Sequence, residues 1–342
     1  MRILLCLMLC CFLLAGCRDK DERCAFVPET SAIELNLQFN SLEDTLPKIT
    51  TKSELVNFLG QHPDIRDHFF ARANYPSDSA FINDLFERFT NPHLDTLLME
   101  THRIFADGSE LKKEFERAFA NLTYYYPGFR PPAVQTMISG MENDLLASDS
   151  LLVVGLDYFL GNGAKYRPNM YQYMLRRYDK NFVVPSVILL IGIDARFNKV
   201  DPADRTVLAD MVAYGKAYYF TKQMLPCTPD SVLIGYSKEE MDGSKKFENL
   251  IWSRLVEDEV LFSTNHQVKQ RYIGERPKTI EVGEQCPGRI GMWVGWQIVK
   301  RYMESHPETK LQDLMNMQNA SKLFKDSGYK PQVVKVPSKE KA

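Results

Sequence analysis

The spacing of apolar residues changes early in the chain, and this change limits the possible fold more than any other feature. Over residues 31–39 apolar and polar residues alternate, which predicts a half-buried strand. From about residue 53 to 123 the apolar residues recur at helical spacing. Two later apolar stretches, Ala133–Ser139 and Leu151–Tyr158, are predicted strands, and the second alternates so little that we expect it to be well covered.

The remainder of the chain is predicted to be mostly helical. The strongest helices are expected at Phe182–Phe197, Asp204–Phe220, Lys238–Phe262 and Gly288–Ser305, with two short ones around 309–317 and 319–327. The sequence therefore predicts an α+β fold, predominantly helical with a small sheet. We expect residues 31–330 to form a single globular domain, since 342 residues are enough for one large core.

The N-terminus has the pattern of a lipoprotein signal. Arg2 precedes the apolar run Ile3–Leu14, which leads through Ala15 and Gly16 to Cys17. The run is too short to span a bilayer, which needs ~20 apolar residues. We expect residues 1–16 to be removed, Cys17 to carry the lipid, and the protein to be anchored in the cell envelope; the alternative is an ordinary signal peptide with an incidental cysteine.

The segments next to the predicted domain are polar. Residues 17–30 are expected to form a solvated tether, and residues 331–342 a basic tail. Three cysteines remain after the lipidated one, and Cys227–Cys286 is the favoured disulfide because Cys24 lies in the tether. The net charge is −2 with both signs interspersed, so nucleic acid is not an expected partner.

The sequence lacks the usual catalytic patterns. No two histidines are four residues apart, as a zinc-binding HExxH helix requires, and no GxSxG motif occurs. Ser109 and Lys112 match SxxK, but Ser109 is better interpreted as the cap of a helix. We therefore expect no catalytic residue, no metal and no cofactor.

A small set of residues is a candidate for contact with a partner or ligand. Asp157 and Tyr158 end a predicted strand, and Lys165 and Tyr166 follow closely in the next loop. The alternative is that these residues only make hydrogen bonds at the strand end.

Arg289 is the other candidate. It lies in the first turn of a predicted helix, where the helix dipole does not favour a positive charge. Contact with a partner and a buried ion pair with Asp157 or Asp194 are both open interpretations.

Three segments are richer in specific residues than packing requires: GLDYFLG ending at Gly161, the stretch Leu208–Phe220, and Cys286–Tyr302 with its PGRIGMWVGWQIV sequence. Together with the lipid signal, they resemble the gliding motility lipoprotein GldB family from Cys17 to Pro331. The resemblance implies a cell-envelope lipoprotein required for gliding and linked to type IX protein secretion. It implies other envelope proteins of that machinery as partners, and no established catalytic activity or cofactor.

The chain is also similar, more distantly, to a family of predicted zinc-dependent proteases. In that family the helix corresponding to Val183–Phe197 would carry HExxH, and the next would carry a glutamate where Tyr214 stands here. This likeness implies a zincin-like fold that lacks its metal site. A divergent peptidase and a binding module for envelope glycan or protein, with Asp157, Lys165 and Arg289 lining a cleft, are the alternative functions.

Overall fold

The computed structural model describes Cys24 and residues 26–333. Cys17, with the predicted signal peptide, lies outside the described residues, as do residues 334–342 of the predicted basic tail. No helix in the described part of the chain is both long enough and apolar enough to cross a membrane.

A sheet of four strands lies among the described residues: β1 (Phe39–Ser41), β2 (Ala133–Met137), β3 (Leu145–Ala147) and β4 (Leu151–Gly155). Their order is β1-β2-β4-β3; the first three run parallel, and β3 pairs antiparallel with β4 at the edge. Every residue of β4 is buried, as its continuous apolar sequence predicts.

Helices form most of the rest of the described chain. The α-helices are α1 (Lys52–Gln61), α2 (Asp78–Phe89), α3 (Leu94–Phe105), α4 (Ser109–Tyr125), α5 (Gln172–Leu175), α6 (Val183–Ile193), α7 (Val207–Met224), α8 (Asp230–Ile234), α9 (Lys238–Lys246), α10 (Glu248–Glu257), α11 (His266–Tyr272), α12 (Ile290–Ser305), α13 (Leu311–Asn316) and α14 (Ala320–Ser327). Short 3₁₀ turns cover Leu46–Lys48, Arg72–Asn74, Leu156–Phe159 and Lys180–Phe182, and a π turn covers Ile65–Phe69.

The α+β prediction is confirmed, with local differences. Of the strand expected over residues 31–39, only Phe39 lies in a strand, as the first residue of β1, which pairs along one edge with β2. The helix expected over 238–262 is two helices, because Phe247 leaves helical geometry between α9 and α10 with ψ near 22°. The edge strand β3 was not predicted, since its apolar residues are too few to form a pattern.

Helices α7 and α12 cross at the centre of the molecule. A Cβ added at Gly295 would lie 1.8 Å from the Met211 carbonyl oxygen, and one added at Gly215 would lie 2.3 Å from the Gly295 oxygen. Only glycine permits backbones to approach this closely. Gly295 and Gly215 therefore let α7 and α12 pack against each other.

The disulfide prediction is wrong. Cys24 is bonded to Cys227, and Cys286 is free. The prediction treated the segment around Cys24 as solvated, but Pro28 is buried and the chain lies against the loop between α7 and α8. Burial raises the pKa of the Cys286 thiol to about 12, so this cysteine stays protonated at neutral pH.

Candidate functional site

A cleft of about 440 Å³ lies where α6, the end of α8 and the start of α12 meet beside the sheet edge. We call it the Arg289 cleft. Its walls are largely apolar, and its polar lining is the set Asp144, Arg177, Tyr178, Ser186, Tyr218, Glu275 and Arg289. Clefts of this size with a few convergent polar groups are typical of ligand sites.

Arg289 is held at the start of α12 in an unusual backbone conformation. Its φ is +59°, in the left-handed region that non-glycine residues seldom occupy. The residue is 9 % exposed, and its Nη2 donates to the Ile234 carbonyl oxygen at 2.9 Å. Burial alone would lower the pKa of this guanidinium, but neighbouring phenols and the Glu275 carboxylate raise it above its ordinary value, so it stays charged.

Glu275 is shared between two arginines, unequally. Its Oε2 lies 2.8 Å from Arg177 Nη2, within hydrogen-bond distance, but 3.7 Å from Arg289 Nε. Both arginines pass over Gly235, where φ is +74° and an added Cβ would lie 2.5 Å from Arg177 Cδ. A glycine is therefore needed there for the arginine pair to reach the cleft.

Asp144 and Tyr178 form another polar part of the lining. The Tyr178 hydroxyl donates to Asp144 Oδ2 at 2.8 Å, and the Leu145 backbone N–H donates to Oδ1 at 2.7 Å. Burial and the nearby Asp144 charge raise the pKa of Tyr178, so the phenol remains a neutral donor. Both carboxylate oxygens of Asp144 thus have a partner within the protein.

Asp157 is fully buried and supports the loop that leads to Asp144. It accepts hydrogen bonds from the Ser139 N–H at 2.9 Å, the Ser139 hydroxyl at 3.1 Å and the Met141 N–H at 2.6 Å. Burial raises the pKa of this carboxyl, while the three donors oppose that shift. These contacts are the strand-end hydrogen bonding that the sequence left as the alternative.

Tyr158 lies next to the cleft but outside its lining. Its hydroxyl donates to the Met141 carbonyl oxygen at 3.1 Å, and its ring centroid lies 5.6 Å from that of Tyr178. Burial raises the pKa of Tyr158 to about 12. The side chain therefore packs behind Tyr178 and helps to fix it.

Lys165 and Tyr166 lie apart from the Arg289 cleft. The Lys165 backbone N–H donates to Glu100 Oε1 at 3.1 Å, and the Tyr166 hydroxyl lies 2.9 Å from His93 Nδ1. These contacts attach the loop to the region of α3. The combined cleft of Asp157, Lys165 and Arg289 does not form, because only Arg289 lines this space.

Arg289 also does not pair with either expected carboxylate. Its acidic neighbour is Glu275, whereas Asp194 accepts hydrogen bonds from Arg196 Nε at 2.9 Å and Nη2 at 3.0 Å. Glu275 was missed because it lies in a turn after α11 with no pattern to single it out. The side chains of Asp144, Tyr178 and Glu275 converge through tertiary packing of distant segments, which spacing along the sequence cannot reveal.

Potential metal ligands are not clustered in the described part of the chain. No three His, Cys, Asp or Glu side chains there are close enough to hold an ion. Ser186 and Leu190 line the cleft from α6, the helix on which the distant protease likeness would place HExxH. Neither side chain is a usual zinc ligand.

Comparison with known proteins gives one match. Residues 23–331 match the family model described as gliding motility protein GldB. No curated protein and no solved structure matches. The zincin-like likeness therefore stays a prediction.

Proposed function

The chain belongs to the gliding motility protein GldB family, and from this premise we propose that it is a lipid-anchored, non-catalytic protein of the cell envelope that is required for gliding. The observation that carries the proposal is the family match over residues 23–331, which begins just after the lipoprotein signal ending at Cys17. We further propose that it acts with envelope proteins linked to type IX secretion. Its expected place is a membrane surface, held by acyl chains on Cys17.

Gene deletion with complementation tests this proposal. Loss of the gene should abolish colony spreading and reduce type IX secretion, and the intact gene should restore both. Cys17→Ala should restore spreading poorly, because an unlipidated chain is not retained at the membrane. Cys286→Ala is the matched control, since it removes a free cysteine that is not the proposed lipidation site. Full spreading by Cys17→Ala would contradict anchoring.

The hydrogen bonds and ion pairs of two buried carboxylates, Asp157 and Asp230, support the non-catalytic part of the proposal. Asp157 accepts three hydrogen bonds, and Asp230 lies 2.5 Å from Lys300 and 3.1 Å from Lys222. Each carboxylate already stabilises the fold, which is unlike a base poised at a reactive centre. Stoichiometric zinc in the purified protein, together with chelator-sensitive proteolysis, would favour the peptidase alternative.

The Cys24–Cys227 disulfide limits the distance between the proposed lipid anchor and the folded part of the protein. Six residues lie between Cys17 and Cys24, so the seven Cα-to-Cα steps from lipid to disulfide span at most about 25 Å. The loop between α7 and α8, which carries Cys227, would then lie near the membrane. Replacing both cysteines, Cys24→Ser with Cys227→Ser, should lower the free energy of unfolding by about 2–5 kcal/mol, since the bond closes a very long loop.

Urea unfolding of the wild-type and double-variant proteins measures this effect, with Cys286→Ala as the cysteine control. Thiol titration under denaturing conditions should find Cys286 as the one free thiol among Cys24, Cys227 and Cys286. Equal stability, or three free thiols in protein from the oxidising envelope, would contradict the bond and the short tether.

A further inference from the structure

The Arg289 guanidinium is buried yet only partly used. Its Nη2 donates to one backbone carbonyl, its Nε is too far from Glu275 for a hydrogen bond, and its Nη1 donates to no group among the described residues. Neither of these two nitrogens is shut off from solvent, so both can pair with a ligand that enters the cleft. The left-handed backbone of Arg289 adds a cost to keeping this side chain at the cleft.

The charged residues that line the Arg289 cleft indicate what kind of ligand it can bind. Two arginines face two carboxylates, so the cleft as a whole is neutral and does not attract a polyanion. Asp144 has both oxygens occupied, and Glu275 lies closer to Arg177 than to Arg289. Arg289 is the more deeply buried of the two cations, and it has N–H groups left for a ligand. This arrangement suits a ligand with a single negative charge at one end.

The other residues that line the cleft favour a ligand with apolar groups and amide groups. Leu145, Phe159 and Leu189 supply apolar surface along the cleft. The hydroxyl of Ser186 makes no hydrogen bond within the described residues, and the Tyr178 oxygen can still accept one. These groups match the backbone of a peptide better than the chain of a fatty acid.

We propose that the Arg289 cleft binds the C-terminal carboxylate of a peptide segment with apolar side chains. The guanidinium pairs with the carboxylate through its unused N–H groups, since the planar fork of arginine fits a carboxylate closely. This inference rests on one part of the proposed function, the absence of catalysis, because the peptide is bound and released without being cleaved.

Calorimetric titration of the full mature protein in lipid nanodiscs tests this site. The probes are N-acetyl-Ala-Leu-Leu with a free carboxylate, the same peptide with a C-terminal amide, and octanoate. The acid should bind at least tenfold more tightly than the amide, because the amide has no charge to pair with Arg289. Equal binding of acid and amide, no binding of either, or octanoate binding as tightly as the acid would overturn the proposal.

Arg289→Lys keeps the charge but loses the planar fork, and should weaken binding of the acid at least tenfold. Arg301→Lys in α12 is the matched control, because the Arg301 side chain is exposed and pairs with Glu304 at 3.4 Å. Folded Arg289→Lys protein with unchanged affinity would overturn the proposal. If that variant does not fold, the comparison of acid and amide on the wild type still decides, and neither result depends on whether the protein supports gliding.

Discussion

The crossing of α7 with α12 and the Arg289 cleft are adjacent, but they use buried cations in opposite ways. Behind the crossing, Lys216 is 1 % exposed and its Nζ donates to the carbonyl oxygens of Lys199, Met315 and Met317 at 2.6, 3.3 and 2.7 Å. In the cleft, Arg289 donates to a single carbonyl at 2.9 Å. The first cation holds chain segments together, whereas the second retains donors that face a cavity.

This difference separates a structural polar group from a candidate binding group. Burial by itself does not distinguish them, since both cations are nine-tenths or more buried. What distinguishes them is whether hydrogen bonds within the protein use up the donors. The same criterion assigns Asp157, with its three donors, to structure although it was a sequence-based candidate for contact.

The largest effect is expected at the helix crossing. Gly295→Ala places a methyl group against the Met211 carbonyl oxygen, so α7 and α12 must move apart, and we expect a loss of about 3 kcal/mol in the free energy of unfolding. Urea unfolding measures it. Gly243→Ala in α9 is the control, because nothing lies within 4 Å of its added Cβ, and it should gain up to about 1 kcal/mol. Equal effects at the two glycines would contradict the close crossing.

A smaller loss of stability is expected at Asp157, which holds the loop leading to the cleft. Asp157→Asn leaves one oxygen for two backbone N–H donors, so an N–H of Ser139 or Met141 loses its acceptor, at a cost of about 2 kcal/mol. Chemical denaturation of the variant measures the loss. Asp242→Asn, on the exposed face of α9, should be close to neutral. A neutral Asp157→Asn would mean that this carboxyl does not hold the loop.

The third effect is a pH dependence at Lys216. Burial lowers the pKa of its ammonium to about 8 in the folded state, while the unfolded chain keeps a value near 10.5. The unfolded state therefore binds more protons between these values, and stability rises with pH across that window. Relative to Lys216→Met, the wild type should gain about 2 kcal/mol in unfolding free energy from pH 8 to pH 10.

Subtracting the variant at each pH removes the contribution of tyrosines and Cys286, which titrate in this range in the unfolded chain. Lys222→Met is the matched control, since it removes another lysine of α7, whose Nζ lies 3.1 Å from the Asp230 carboxylate. If the difference in unfolding free energy between wild type and Lys216→Met stays constant across pH 8–10, the pKa of the Lys216 ammonium is not lowered by burial.

The sequence predicts the fold class because long helices and the β4 strand carry their own periodicity. It also predicts α6, α7 and α12 to within a few residues. It does not predict β3, the Cys24–Cys227 bond or the partners of Arg289, because each depends on segments that meet only in the folded chain. The expected cluster of Asp157, Lys165 and Arg289 does not form for the same reason. Asp157 and Lys165 are near each other in the sequence, but Asp157 is fully buried after β4, whereas Lys165 is exposed and its backbone is bound to Glu100 of α3.

The most direct test of the account observes the Arg289 guanidinium itself. In NMR spectra of the full mature protein labelled at arginine nitrogens, adding N-acetyl-Ala-Leu-Leu with a free carboxylate should shift the Arg289 Nε–H signal to saturation. The Arg301 signal should stay unchanged, and the amide form of the peptide should have little effect. An unmoved Arg289 signal, or equal shifts at both arginines, would contradict the claim that this cation is kept for a ligand.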